Sequence, residues 1–284
     1  MRMETATEPA RHDTANQDLI ITGPDLVLLL DGAGGPSEDG GGCIHGVPWY
    51  VRQLGSRLLN GLLTTPEPIA EVLAGAIDQV AAGHRASCDL RNPGTPSSTV
   101  VVARRRENLI EYLSLHDSTI VLTGPDGCRT VSDRRVQEIP ELRGLWHDMS
   151  QVPVGSDDHA AARRAYIAAE LGYRNTPGGY WVAGADLASA AEAITGAAPI
   201  PVLRSVSLFS DGAADLVDAY RLSTWPGVVD ILDKTGPAHL IQLVRAAERR
   251  DPLGRQWPRF KIHDDASVAH WTLGSAPSSA PWST

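Results

Sequence analysis

Two short apolar runs in this 284-residue chain close on Asp-Gly: Leu26-Val-Leu-Leu-Leu-Asp31-Gly32 and, far downstream, Val206-Ser-Leu-Phe-Ser-Asp211-Gly212. A β-prone run of this length delivers its last side chain to the edge of a sheet, and glycine lets the backbone turn sharply. The sequence therefore predicts each aspartate at a strand mouth. Two further aspartates have comparable settings. Asp117 lies between strand-like runs in Ile110-Glu-Tyr-Leu-Ser-Leu-His116-Asp117-Ser118-Thr119, and Asp264-Asp265 precedes a β-prone stretch over 266–271. Carboxylates gathered from scattered strand ends repel one another unless a divalent cation neutralises them. Oxygen donors without a Cys or His pattern call for a hard ion, Mg2+ or Mn2+ rather than zinc. Asp-Gly alone is an ordinary turn pair; the four positions together favour the metal.

These aspartates sit in a longer pattern. Asn16-Gln17-Asp18, Asp31-Gly32-Ala33-Gly34-Gly35, Ser98-Thr99-Val-Val-Val-Ala103, His116-Asp117-Ser118-Thr119, Ser210-Asp211-Gly212 and Asp264-Asp265-Ala266-Ser267 succeed one another along the chain. In order and approximate spacing this resembles the type 2C metal-dependent protein phosphatases, in a divergent, bacterial-type form, over roughly 11–273. The resemblance implies an α+β fold, a four-layer α-β-β-α sandwich with two central, mostly antiparallel sheets and a metal cluster in the cleft at one end. It implies that Asp31 bridges two Mg2+ or Mn2+ ions, that the Gly32 carbonyl binds one, and that Asp211 and Asp264 bind the other. Asp117 would join Asp211 at a third, weaker ion, and Asp18 would orient metal-bound water from outside the ligand sphere. The implied nucleophile is a water bridging the two ions, held by Asp31 and Asp211, its pKa lowered from about 15.7 toward 7. The implied activity is phosphomonoester hydrolysis, foremost as a serine/threonine protein phosphatase.

The departures from the family pattern are specific. Its Gly-Asp-Ser-Arg box reads His116-Asp117-Ser118-Thr119 here, and Ala33 stands where some members carry a proton-donating His. His116 is accordingly a candidate acid for the leaving group, although a histidine beside a turn is more often a packing residue. Arg11 is the upstream candidate for gripping phosphate, set farther from Asn16 than the family pattern has it. Two other readings stay open: a phosphatase of a small phosphorylated metabolite or biosynthetic intermediate, and a catalytically silent phosphatase-like binding or regulatory module.

A formal net charge of −9 and a pI near 5.4 argue against nucleic acid or an anionic membrane as partner, leaving a phosphorylated protein or small molecule. Cys43, Cys88 and Cys128 form no Cys-x-x-Cys pair and are odd in number, so neither a disulfide framework nor a zinc knuckle is expected. A reduced cytoplasmic setting is the simplest expectation, and no run is long enough to span a membrane. Only Lys234 and Lys261 among 25 basic residues are lysines, the usage of a GC-rich bacterial genome.

The expected organisation is an irregular segment over 1–10, one domain over 11–274, and a Pro/Ser tail over 275–284. Helices are predicted over 49–63, 67–84 (Thr65 as N-cap, Pro66 in the first turn), 157–171 and 237–250. Residues 97–131 read as three β runs in a meander, with Gly124-Pro-Asp-Gly127 as a hairpin turn. In the loop over 172–181, Arg174, Tyr180 and Trp181 either touch substrate or pin the loop, and packing is the commoner role of such aromatics.

Overall fold

Leu26 to Leu30 are each at most 2% exposed, so the strand that carries them is covered on both faces. The structure, a computed structural model, describes residues 1–34 and 40–274; the predicted tail over 275–284 lies outside the described residues. The chain begins with β1 (Arg2–Glu8), β2 (Asp18–Gly23) and β3 (Leu26–Ala33), then α1 (Val47–Thr64) and α2 (Ile69–His84). There follow β4 (Ser97–Arg106), β5 (Leu109–Leu115), β6 (Thr119–Gly124) and β7 (Gly127–Val131), then α3 (Arg135–Glu138), α4 (Pro140–Ser150) and α5 (Asp157–Glu170). The last part holds β8 (Ile194–Pro199), β9 (Ser205–Phe209), α6 (Asp211–Asp218), α7 (Trp225–Thr235), α8 (Pro237–Arg250) and β10 (Ala266–Thr272).

The strands form two five-stranded sheets, β2-β3-β4-β5-β8 and β1-β10-β9-β6-β7, antiparallel throughout. Strand periodicity explains the layers. Val27, Leu29 and Val101 face inward against Ile120, Leu122, Leu208 and Trp271 of the other sheet. Leu28 and Leu30 point outward to Leu54 and Leu58 of α1 and Leu73 and Ile77 of α2. Val121, Phe209 and Val268 carry the outer face of the second sheet onto Leu232, Leu240 and Val244 of α7 and α8. Each such buried side chain contributes about 1.5–3 kcal/mol. The result is the α-β-β-α sandwich.

Three local expectations are corrected. Residues 2–8 are not irregular: β1 pairs with β10 in register from Arg2↔Thr272 to Glu8↔Ala266. Its polar residues suit an edge strand, and that polarity masks it. Helix α2 starts at Ile69 after Pro68, with no side-chain cap, because Glu67 precedes a proline and is steered away from helical backbone. Thr65 instead closes α1, its hydroxyl donating to the Gly61 carbonyl at 3.1 Å. Residues 97–131 hold four strands split between the sheets, β4–β5 in one and β6–β7 in the other. Among the described residues, no helix is long and apolar enough to cross a membrane.

Candidate metal and phosphate site

Asp18 opens β2 and lies opposite Asp31 of β3, which places their Cβ atoms about 4.5–5.5 Å apart on one face. Asp211 is the first residue of α6, immediately after β9, and Asp264 precedes β10, the strand paired with β9. Two neighbouring strands thus bring two distant aspartates to one sheet end. The glycines serve close packing rather than a turn, since β3 runs on through Gly32 to Ala33. A Cβ on Gly32 would lie 2.5 Å from Val47 Cγ1, and one on Gly212 would lie 2.2 Å from the Asp265 carbonyl oxygen.

Asp31, Asp211 and Asp264 converge on the wall of a cavity of about 1310 Å³. Burial, followed by the charges of Asp18, Asp211 and Asp264, holds the Asp31 carboxyl well above the usual carboxylate range. Burial and then Asp264 and Asp117 push Asp211 up to about 7. Asp18 also rises to about 7, through burial and the charges of Asp211 and Asp265, eased only in part by the Ser267 and Ser210 hydroxyls. Both Asp18 carboxylate oxygens are buried without a hydrogen-bond partner. Lys261 supplies a counter-charge, donating from Nζ to Asp264 Oδ1 at 2.6 Å. Burial alone would lower its pKa, yet Asp264, Asp211 and Asp31 raise it. One ammonium against four crowded carboxylates leaves a negative excess, and the donors are hard oxygens, so the residues fit Mg2+ or Mn2+.

The segment carrying Asp264 is braced from behind. Arg245, 6% exposed, donates to the Asp264 carbonyl at 2.7 Å and pairs with Glu248 at 2.9 Å and Glu8 at 3.1 Å. The Asp265 carboxylate accepts from the amides of Ala10 at 2.6 Å and Gln17 at 2.7 Å.

No protein-family model matches this chain, and no curated protein matches it significantly. Solved structures do. The serine/threonine phosphatase PstP/Ppp of Mycobacterium tuberculosis superposes with a TM-score of 0.60 at 12% identity, covering 96% of this chain and 99% of that one. PppA, a key regulatory component of T6SS in Pseudomonas aeruginosa, gives 0.56 at 18% identity, over 95% of this chain and 97% of that one. The catalytic domain of PstP in complex with two manganese ions gives 0.55 at 12%, again over 95% and 97%. The fold is that of the type 2C serine/threonine phosphatases.

Within this type 2C fold the altered box is ordered by its own side chains. His116 has φ +71°, the left-handed region that a glycine enters freely and that costs other residues about 1–2 kcal/mol. Its Nδ1 lies 2.7 Å from Asp117 Oδ1, its Nε2 is buried without a partner, and its ring sits 4.9 Å from that of Tyr180. Burial works to lower the His116 pKa, but the charge and hydrogen bond of Asp117 outweigh it and the net shift is upward. Asp117 is held as a carboxylate by the same pair, against its burial. Both residues line the cavity.

Arg11 does not. It is exposed, bonded to Asp13 at 2.7 and 2.9 Å, and lines a separate surface pocket beside Glu8 and Arg249, so the fold does not bring it to the carboxylates. The cavity has other cations. Arg163 of α5 lines it with a buried Nε that lacks a hydrogen-bond partner, its guanidinium 4.9 Å over the Phe260 ring. Arg174 also reaches the cavity, but its Nη1 donates to the carbonyls of Pro93 at 2.7 Å and Thr95 at 2.8 Å, while Trp181 packs toward α1 and α2. Loop anchoring thus accounts for Arg174 and Trp181, and Tyr180 remains on the cavity wall. Sequence reasoning missed Lys261 and Arg163 as site residues; the rarity of lysine and the Arg163-Arg164 pair in an Ala-rich helix were the available signals.

Proposed function

We propose that this chain is a metal-dependent phosphomonoester hydrolase of the serine/threonine protein phosphatase type. The observation that carries the reading is the convergence of Asp31, Asp211 and Asp264 on the wall of one cavity, close enough to perturb one another's charge. The manganese-bound PstP catalytic domain of the same fold supports it. Two Mg2+ or Mn2+ ions, held by Asp31, the Gly32 carbonyl, Asp211 and Asp264, would offset the charge of a phosphate dianion and acidify water toward a pKa near 7.

The chain's own residues then have separable tasks. The unpaired Arg163 Nε is a donor for phosphate oxygens, and a planar guanidinium suits that geometry better than an ammonium. Arg163→Ala should raise KM for an aryl phosphate by about 10-fold or more, with Arg163→Lys recovering only part, since one charged hydrogen bond is worth about 1.5–3 kcal/mol. An unchanged KM in steady-state kinetics would remove Arg163 from the substrate.

His116, which lines the cavity and whose imidazolium Asp117 favours, would give a proton to the departing alkoxide. His116→Gly keeps the left-handed backbone without strain. It should slow an alkyl phosphate by about 10²-fold or more while leaving a nitrophenyl ester, whose leaving group needs no proton, nearly unaffected. Equal losses on both esters would refute the acid role.

Titration of Mn2+ into dialysed protein, reading heat and phosphate release from an aryl phosphate together, tests the reading as a whole. Saturable heat with parallel activity is expected; neither at millimolar Mn2+ would leave the silent binding module. A second reading, a small phosphorylated ester as substrate, is favoured by the aromatic wall that Tyr166 and Tyr180 give the cavity. Comparing phosphopeptides with a panel of phosphorylated metabolites separates the two.

A further inference from the structure

Cys43 and Cys88, which the sequence left as unrelated thiols, lie together with two histidines on the α1–α2 side of the molecule, in a cluster distinct from the carboxylates. One ligand atom each from Cys43, His45, His84 and Cys88 can be chosen so that all four lie within 4.8 Å of one another. The two sulfurs are 3.6 Å apart. Cys43 Sγ is 3.7 Å from His45 Nδ1 and 3.6 Å from His84 Nδ1, and Cys88 Sγ is 3.4 Å from His45 Nδ1. These separations have a simple geometric meaning. A tetrahedral zinc with bonds of about 2.3 Å to sulfur and about 2.0–2.1 Å to nitrogen has edges of about 3.8 Å between sulfurs and about 3.6 Å between sulfur and nitrogen. A disulfide would need its sulfurs about 2.05 Å apart.

We propose that Cys43, His45, His84 and Cys88 form a structural Zn2+ site with a closed Cys2His2 ligand set. Two thiolates and two imidazoles are the donors that select zinc over the hard ions suited to the carboxylate centre. The surroundings are those of a ligand cage. Cys43 and His84 are buried, at 3% each. The Trp49 indole stacks on His45 with centroids 4.1 Å apart and lies 5.0 Å from the His84 ring, an apolar cover that keeps solvent from the nitrogens.

The site joins parts of the chain that are far apart in sequence. Cys43 and His45 lie on the connection from the Asp31-Gly32 strand to α1, His84 ends α2, and Cys88 lies in the turn beyond it. The Asp89 amide donates to the Gly42 carbonyl at 2.9 Å beside the cluster, and the next few residues supply the Pro93 and Thr95 carbonyls that fix Arg174. Zinc here would brace a loop that abuts one wall of the phosphatase cavity. A four-coordinate ion with no open position gives it a structural task rather than a catalytic one.

The test is elemental analysis of the full chain purified without added metal, followed by cobalt substitution. Expected are one equivalent of zinc that survives dialysis, and a Co2+ form with the intense visible bands of a tetrahedral ion and a sulfur-to-metal charge-transfer band. Cys43→Ser and Cys88→Ser should each lose the zinc and the charge-transfer band, and the zinc-free chain should melt lower. Cys128→Ser and Asp211→Asn should keep both signals, which separates this site from the carboxylate centre. If Cys43→Ser does not fold, Cys88→Ser and the wild-type cobalt spectrum decide. Absence of zinc with no cobalt–sulfur band, or a chain lighter by two hydrogens that carries a Cys43–Cys88 disulfide, would overturn the proposal.

Discussion

Asp211→Asn should abolish metal-dependent phosphate release, by about 10³-fold or more, and yet yield a metal-free protein that melts higher than the parent. On the proposed reading the rate loss follows from removing one anionic ligand, since three powers of ten correspond to about 4 kcal/mol of lost charge stabilisation in the transition state. The gain in stability has the same origin. Asp211 lies on the cavity wall with Asp31, Asp264 and Asp117, and desolvation of its carboxylate, followed by the charges of Asp264 and Asp117, pushes its carboxyl up to about 7. At pH 8 an amide of the same shape escapes that desolvation and repulsion, a relief reduced by the solvent that reaches this exposed residue. Activity assays paired with calorimetry of dialysed protein check both halves. A variant that is inactive but melts lower would mean that Asp211 acts through packing and not through its charge.

A second large effect should appear in the pH dependence of stability. Asp18 and Asp211 hold protons up to about 7 in the folded chain, against about 3.9 for an unfolded aspartate. Between these limits the folded state binds more protons than the unfolded one. Stability of the dialysed protein should therefore fall as pH rises from about 4 to about 7, with the larger share from Asp18, because solvent screens the more exposed Asp211. Because the carboxylates repel one another, they titrate as a group rather than one by one. Mn2+ replaces those protons, so its stabilising effect should be larger at pH 8 than at pH 5, with protons released on binding. Thermal melts at both pH values, with and without Mn2+, decide the matter. Rising stability of the dialysed protein through this window would show that the carboxylates are not crowded as described.

What could be read from the sequence was the part encoded in short-range pattern. The unbroken apolar run at Leu26–Leu30 and its Asp-Gly ending located a doubly covered strand and a site carboxylate, because burial on two faces leaves no polar alternation. The convergence of Asp31, Asp211 and Asp264 came from the order of the motifs, not from any local rule. The β1 strand was hidden because its residues are polar and its partner, β10, lies at the far end of the chain. Arg163 and Lys261 were illegible as site residues because only tertiary packing determines which basic side chain turns inward. The Cys/His cluster escaped for a related reason: Cys-x-His and His-x3-Cys halves 41 residues apart in chain number, as measured between Cys43 and His84, resemble no familiar spacing until two elements are laid side by side.

The edge strand β1 gives the first residues of this chain unexpected leverage. Glu8 grips the arginine that steadies the Asp264 carbonyl, and just beyond the strand the amides of Ala10 and Gln17 clasp Asp265. A protease cut, or a bulky fusion that peels away residues 2–8, would therefore slacken a site carboxylate without touching the cavity itself. Tampering at one extremity of the polymer would be felt among acidic groups hundreds of positions away.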